Sequence, residues 1–214
     1  MTSYGNVQVV TIVNGPLQEN CFLVIDGATR HAVLIDPGDE ASRMQAVVAD
    51  FGAKVDEIWG THGHIDHVGA VAELQRALGA KFWFHPLDVP WLDGIDESAR
   101  ALGIPLKPRP TVDGELCEGM ELRVGETTAK VLYTPGHSLG GCCFYFAKEK
   151  MVFVGDTLFA GSIGRTDFPG GSYATLLSSI RAKLLPLDDD VVVLPGHGPA
   201  TTIGVERRSN RFLR

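Results

Sequence analysis

The stretch THGHIDHVGA, residues 61–70, places three histidines and one aspartate within six positions. These side chains are His62, His64, Asp66 and His67. Imidazoles this close together would repel one another if protonated and would need many partners if buried, whereas a divalent metal ion satisfies all of them at once. The pattern therefore predicts a metal site, and its glycines predict a sharply turning loop.

The sequence on either side of this loop alternates short β-branched runs with segments of helical periodicity, which is typical of a layered α/β fold. Strands are predicted at residues 7–13, 21–25, 32–36, 55–60, 81–84, 129–133, 142–146, 151–155 and 190–194. Helices are predicted over residues 40–51, from near Val68 to Leu78, and from Ser172 to just before Pro186. Residues 86–110, rich in proline and glycine, are predicted to form an irregular surface segment near the active site.

Polar residues of the kind that bind metals follow three further predicted strands, and each lies beside a glycine. They are His137 in VLYTPGHSLGG, Asp156 in MVFVGDTLF and His197 in VVVLPGHGPA. Any one of them alone could be an ordinary turn residue, but together with the histidine loop they extend the predicted metal site. The two remaining histidines, His31 and His85, are predicted to be surface residues.

The number of donors indicates two metal ions rather than one. Five imidazoles and two carboxylates are too many for a single four- or five-coordinate ion, but they divide into two sites if one carboxylate is shared. The loop supplies two donors to each ion, His62 with His64 and Asp66 with His67. The two later histidines then complete one site each, and Asp156 bridges the sites.

Composition predicts one globular domain and argues against several kinds of partner. The chain has 214 residues and a formal net charge of −7, and its basic residues cluster only at the end, in ERRSNRFLR. A nucleic-acid partner is therefore not expected. The opening residues do not resemble a signal peptide and no stretch suits a membrane span, so a cytoplasmic protein without a membrane partner is expected. The four cysteines, which form no CxxC pair, are predicted to be reduced and in or near the core, at positions Cys21, Cys117, Cys142 and Cys143.

THGHIDHVG, PGH, GDTLF and PGHG, in that order, resemble the metallo-β-lactamase superfamily. The resemblance implies an α/β fold of αββα type, with two mixed sheets packed face to face and helices outside. It also implies two divalent ions as cofactors, zinc first with iron or manganese as alternatives. Asp36, in IDPG, is a candidate for bracing the histidine loop, or else an ordinary turn residue. The implied ligands are His62, His64 and His137 for the first ion, Asp66, His67 and His197 for the second, and Asp156 for both.

Within that superfamily, GDTLFAGSIGRTDFPGG and the C-terminal tail are most similar to short glyoxalase II, the hydroxyacylglutathione hydrolases. The resemblance implies hydrolysis of a small-molecule thioester such as S-lactoylglutathione by a metal-bridging hydroxide that Asp66 binds and orients. The appended C-terminal helical domain of the longer enzymes is not expected, so residues 1–214 are predicted to be a single domain. Arg165 is a candidate for binding a substrate anion, with a salt bridge to Asp167 as the alternative reading.

Other branches of the superfamily give alternative hypotheses. Persulfide dioxygenases share HxHxDH and the GRTDF segment but use a single iron, held by the counterparts of His62, His137 and Asp156. In metallo-β-lactamases the position of Asp156 is not a bridging carboxylate, which argues against lactam hydrolysis. Acyl-homoserine lactonases carry a tyrosine where this chain has Phe159. A non-catalytic metal-binding module is a further alternative, although no ligand of the pattern is missing.

Overall fold

The computed structural model describes residues 1–214 and contains two main β-sheets packed face to face. Seven strands form the first sheet in chain order; β1 to β4 pair antiparallel, and β4 to β7 pair parallel. They are β1 (Thr2–Tyr4), β2 (Val7–Asn14), β3 (Glu19–Asp26), β4 (His31–Ile35), β5 (Lys54–Trp59), β6 (Lys81–Phe84) and β7 (Gly114–Glu115).

The second sheet has six strands in the order β15-β14-β11-β10-β9-β8, with β11 and β14 parallel and the other pairs antiparallel. They are β8 (Glu121–Val124), β9 (Thr127–Tyr133), β10 (Cys142–Phe146), β11 (Met151–Gly155), β14 (Val192–Pro195) and β15 (Thr201–Thr202). A separate hairpin of β12 (Leu158–Phe159) and β13 (Ser162–Ile163) follows β11.

Helices cover the outer face of each sheet. Four of them pack on the first sheet: α1 (Ala41–Asp50), α3 (Val71–Leu78), α4 (Val89–Asp93) and α5 (Ile95–Leu102). The second sheet is covered by α6 (Tyr173–Ser179), continued by a π-helical turn Ile180–Leu184, and by α7 (Ile203–Ser209). The short helix α2 (Ile65–Val68) lies inside the histidine motif. These four layers confirm the predicted αββα architecture.

The side chains of β3 show why the sheets pack in this way. All eight residues of this strand are buried. Alternate side chains point to opposite faces, so Leu23 and Ile25 pack under the helices while Phe22 and Val24 enter the core between the sheets. In that core Trp59 of the first sheet contacts Phe144 of the second, with ring centroids 5.2 Å apart.

All nine predicted strands and the three predicted helices are present, with boundaries shifted by a few residues. The prediction for residues 86–110 was wrong in its first part, because a 3₁₀ turn (Pro86–Asp88), α4 and α5 occupy residues 86–102. Proline suits the first turn of a helix, where its missing N–H is not needed, and this explains Pro86 and Pro90.

Two predictions of burial were also wrong. His85 is buried rather than at the surface, because its ring stacks on that of Tyr133 with centroids 4.7 Å apart. Cys117 is exposed, whereas the other three cysteines are buried, and all four are free thiols. No helix in the structure is both long enough and apolar enough to cross a lipid bilayer.

The packing between the sheets leads to a prediction for Phe144. Replacing this fully buried ring by alanine should destabilise the metal-free protein by about 3–5 kcal/mol, because a large cavity opens beside Trp59. Urea denaturation would measure the loss. Val13→Ala, at an exposed position on β2, should change the free energy of unfolding by at most about 0.5 kcal/mol. Equal effects of the two substitutions would contradict this account of the core.

Candidate metal centre

Four strand ends meet at one edge of the two sheets and bring the predicted donors together. The loop after β5 carries the histidine motif, and His64 immediately precedes α2. His137 follows β9, Asp156 follows β11 directly, and His197 lies two residues beyond β14. Strands β9, β11 and β14 run in the same direction, so their following loops share one edge.

Three histidines form a compact first donor group. His62 Nε2 lies 3.1 Å from His64 Nδ1 and 3.3 Å from His137 Nε2, and the last two nitrogens are 3.0 Å apart. Imidazole nitrogens bound at about 2.0–2.1 Å to one tetrahedral ion lie about 3.3 Å from each other. The spacing of the three nitrogens therefore suits a single metal ion.

A second donor group lies beside the first and shares a carboxylate with it. His197 Nε2 is 3.2 Å from Asp66 Oδ2, and His67 Nε2 is 3.7 Å from the same oxygen. Asp156 faces both groups, with Oδ1 3.5 Å from His67 Nε2 and Oδ2 3.6 Å from His137 Nε2. All seven predicted donors are thus close together, and Asp156 lies between the two groups.

Unpaired polar atoms test whether a metal fits this arrangement. His67 Nε2 and Asp156 Oδ1 are buried and have no hydrogen-bond partner in the protein. Leaving such groups unsatisfied in the interior is costly. A divalent cation at the second group would satisfy both atoms, so the donors present fit a metal ion.

Hydrogen bonds from behind hold the histidines in orientation. Asp36 accepts from the Thr61 backbone N–H at 2.7 Å, from the Thr61 hydroxyl at 2.5 Å and from His67 Nδ1–H at 3.0 Å. The Thr61 hydroxyl in turn lies 3.0 Å from His62 Nδ1. His137 Nδ1–H donates to the Arg165 carbonyl at 2.7 Å. These contacts leave the opposite nitrogen of each ring free to face the donor group.

Asp36 combines the two roles considered for it in the sequence. It begins the D-P-G turn with a left-handed backbone, φ 52°, and its carboxylate braces the loop. Asp36 also lies near His62 and His67 in a third grouping of possible donors. Because both of its oxygens already accept hydrogen bonds, we propose that Asp36 orients the donor side chains rather than binding a metal itself.

Burial and neighbouring charges shift the pKa values of the donors. Burial, reinforced by the neighbouring histidines, holds the pKa of His62 well below its usual value and lowers that of His64 to about 3. Burial acts to lower the pKa of His67, but the carboxylates of Asp66, Asp156 and Asp36 outweigh it and raise that pKa. Burial likewise acts to raise the pKa of Asp66, but His67 and His197 outweigh it and lower that pKa. His62 and His64 are therefore neutral, which is the form that binds metals.

Close approach of the backbone explains one glycine of the PGHG motif. A Cβ on Gly196 would lie 2.5 Å from His67 Cε1 and 2.6 Å from Asp156 Oδ1. Any larger residue would push apart two donors of the second group.

Two buried carboxylates at the site were missed in the sequence. Asp88 accepts from the backbone N–H of Gly63 at 2.9 Å and of Gly140 at 2.5 Å, so it ties the histidine loop to the loop that follows His137. Burial raises its pKa. Glu19 lies 3.8 Å from His67 Nδ1, and burial raises its pKa as well. The sequence carries no motif around either residue. The one indication for Asp88 is its position two residues after Pro86, in a segment predicted to be irregular and near the site.

A cavity of about 730 Å³ opens in front of the donors. Its outer wall includes Trp91 of α4, Leu102 of α5, Phe159 of the β12–β13 hairpin, and Phe168. Arg165 also lines it, but its guanidinium makes two 2.7 Å contacts with the Asp167 carboxylate. The salt bridge considered as the alternative reading for Arg165 is therefore present.

Comparison with known proteins decides the family. A model of the metallo-β-lactamase superfamily matches residues 14–197, which include all seven donors. The chain belongs to the metallo-β-lactamase superfamily.

Individual relatives of this superfamily resemble the chain over nearly its whole length. Hydroxyacylglutathione hydrolase GloC of Haemophilus influenzae is 39% identical, over 97% of this chain and 98% of that protein. A crystal structure of TTHA1623 in a di-iron-bound form is 45% identical, with a TM-score of 0.88 over 96% of this chain and 100% of that one. The structure of BLEG-1 B3 metallo-β-lactamase is 36% identical, with a TM-score of 0.90 over 96% and 99%. Together with the donor groups, these likenesses identify a metallo-hydrolase of the superfamily that binds divalent metal.

The bracing by Asp36 leads to a test on metal affinity. Asp36→Asn tolerates the left-handed backbone but loses one acceptor oxygen, so Thr61 or His67 faces an N–H group instead. Metal affinity should fall roughly 10–100-fold while the protein stays folded. Competition with a chromophoric chelator would measure it, with Asp56→Asn at the surface as the control. Unchanged metal affinity in Asp36→Asn would show that Asp36 does not hold the donors in position.

Gly196→Ala tests the geometry of the second donor group. The added methyl should separate His67 from Asp156 and lower metal affinity by about tenfold or more, with little effect on the melting temperature of the metal-free protein. Elemental analysis and thermal unfolding would measure the two properties. Gly94→Ala is the matched control, since its nearest neighbour would be Pro90 O at 3.6 Å. Wild-type metal content in Gly196→Ala would show that the donors are not held as described.

Proposed function

We propose that this chain is a metal-dependent thioester hydrolase whose substrate is S-lactoylglutathione or a related hydroxyacyl thioester. One observation carries the proposal: two donor groups share Asp156 at the base of a cavity whose lining contains no further histidine or carboxylate. The likeness to the Haemophilus influenzae hydroxyacylglutathione hydrolase supports the choice of a glutathione thioester as the first substrate to test.

The donors fit two divalent ions. We propose zinc first, with iron or manganese as alternatives, because histidine and aspartate donors suit all three. When bound, such a pair of ions lowers the pKa of a bound water to about 7 and polarises the substrate carbonyl. The residues that would hold them are His62, His64 and His137 for one ion, Asp66, His67 and His197 for the other, and Asp156 for both.

Asp66 is the proposed catalytic residue among these donors. Its lowered pKa keeps it a carboxylate, and Oδ2 already faces His197 at 3.2 Å. The other carboxylate oxygen can accept a hydrogen bond from an attacking water and orient it. Asp66 would thus both bind a metal and position the nucleophile.

The absence of a spare acid in the cavity favours a good leaving group. Outside the donor groups, Arg165 is the only ionisable residue of the lining, and a guanidinium does not release a proton at neutral pH. An amide nitrogen must be protonated before it leaves, whereas a thiol with a pKa of about 8–9 departs as the thiolate. The lining therefore suits thioesters better than amides.

Arg165 is proposed to bind a substrate anion, in competition with its partner Asp167. The pair is exposed, so solvent weakens it and a substrate carboxylate could replace Asp167 at small cost.

Hydrolysis of S-D-lactoylglutathione by protein of determined metal content is the decisive measurement. Turnover is expected in the wild type. His64→Ala removes a donor of the first group and Asp66→Ala the proposed catalytic donor of the second, so each should lower kcat by at least about 100-fold. His31→Ala, a histidine at the opposite end of the sheet paired with Asp56, is the matched control and should retain wild-type activity.

The other outcomes are distinct. No turnover by protein that holds two metals would overturn the proposal for glutathione thioesters. Oxygen uptake with glutathione persulfide by protein that holds one iron would establish the dioxygenase alternative, for which His62, His137 and Asp156 form the required two-histidine, one-carboxylate set. Preferential hydrolysis of a chromogenic β-lactam would place the chain with the BLEG-1 lactamase instead.

A further inference from the structure

Two aromatic rings stand over the first donor group on the cavity side. The Trp91 ring centroid lies 4.6 Å from that of His64, and the Phe168 centroid lies 4.9 Å from it on another side. The two aromatic rings are 6.2 Å apart, in an edge-to-face arrangement. A substrate whose reacting carbonyl lies at the first donor group therefore has these rings among its nearest neighbours.

Both rings already have protein contacts when no substrate is bound. Trp91 lies on α4, which follows Asp88, and its Cβ lies so close to Gly63 that a Cβ there would be 2.6 Å away. Phe168 lies under the Arg165 guanidinium, with Arg165 Cζ 4.0 Å from the ring centroid, and the Asp167 carboxylate holds that guanidinium. A preformed wall loses little conformational entropy on binding.

The remainder of the lining is mostly apolar. Apart from the donors, the polar side chains that reach the cavity are Ser98, Ser162 and Arg165. The cavity volume of about 730 Å³ is in the range that holds a whole small-molecule substrate. Glutathione carries two carboxylates and an ammonium, and the lining offers them one cation, Arg165, and no acidic side chain apart from the donors. The walls therefore offer more to an apolar substituent than to the charged carrier.

From this arrangement we infer that the site selects thioesters whose acyl group carries a bulky apolar substituent, which packs against the cavity-facing surface of the Trp91 and Phe168 rings. The inference rests on the proposed thioester hydrolysis and narrows its substrate class. S-mandeloylglutathione and S-lactoylglutathione differ only on the carbon next to the carbonyl, which carries a phenyl group in the first and a methyl group in the second. The phenyl compound is the preferred substrate, because a phenyl group buries more apolar area against the two rings than a methyl group does.

The ratio of kcat/KM for these two thioesters tests the inference. The wild type should favour the mandeloyl substrate by at least about tenfold, since even one methylene in an apolar pocket changes this quantity by roughly 10–200-fold. Trp91→Ala and Phe168→Ala should each reduce the ratio about tenfold, through loss of mandeloyl turnover, with metal content unchanged. Leu106→Ala, an exposed leucine outside the cavity lining, is the control and should keep the wild-type ratio.

A ratio of one or less in the wild type, or a ratio that neither aromatic substitution changes, would overturn the inference. Calorimetric titration of the metal-loaded protein with mandelate and with lactate separates this failure from that of the proposed function. If neither thioester is hydrolysed, the proposed function fails. If mandelate binds more tightly than lactate and Trp91→Ala abolishes the difference, the apolar contact surface of Trp91 and Phe168 is still supported. Equal affinities of the wild type for mandelate and lactate would contradict it.

Discussion

The whole site depends on holding three buried imidazole nitrogens within 3.0–3.3 Å of one another. Their lone pairs repel at this separation, and burial together with mutual repulsion makes protonation unfavourable at His62 and His64. A folded chain can sustain such a cluster only if other contacts fix the rings and a cation can take up the lone pairs. The surrounding structure supplies those contacts: Asp36 and Thr61 behind the histidine loop, and the Arg165 carbonyl behind His137.

Sequence reasoning succeeded where side-chain chemistry alone was informative. Donors spaced as in HxHxDH have no use in a core, and a histidine or aspartate that follows a strand beside glycine identifies the sheet edge that carries the site. The structure brings every one of those donors to a single edge. The strands were equally readable, because β3 and β11 are buried on both faces and show continuous apolar runs.

What the sequence did not show depends on contacts between distant segments. In the sequence Asp88 is one carboxylate in a proline-rich stretch. Only the fold places it against the backbone N–H groups of Gly63 and Gly140, which donate hydrogen bonds to it. His85 looked like a surface residue until Tyr133, 48 positions away, stacked on it. The helices in residues 86–102 were hidden because two prolines were interpreted as breakers, although each stands in the first turn of a helix.

The two walls of the cavity are each anchored by a buried carboxylate, and this joins substrate selection to the metal centre. On one side Asp88 connects the start of α4, and hence Trp91, to the backbone of the histidine loop. On the other side the buried Glu206 of α7 accepts from the Gly161 backbone N–H at 2.9 Å. Asn210 donates to the Ser162 carbonyl at 2.9 Å and to Glu206 at 2.8 Å.

These contacts of the C-terminal tail hold the β12–β13 hairpin, which lies in the chain between Asp156 and Arg165, whose carbonyl accepts a hydrogen bond from His137. Buried polar networks of this kind lose much of their stability if one member is removed, since the remaining groups are left without partners. A change in either wall therefore reaches the donors by two routes, through these main-chain hydrogen bonds and through the Trp91 and Phe168 rings that contact His64.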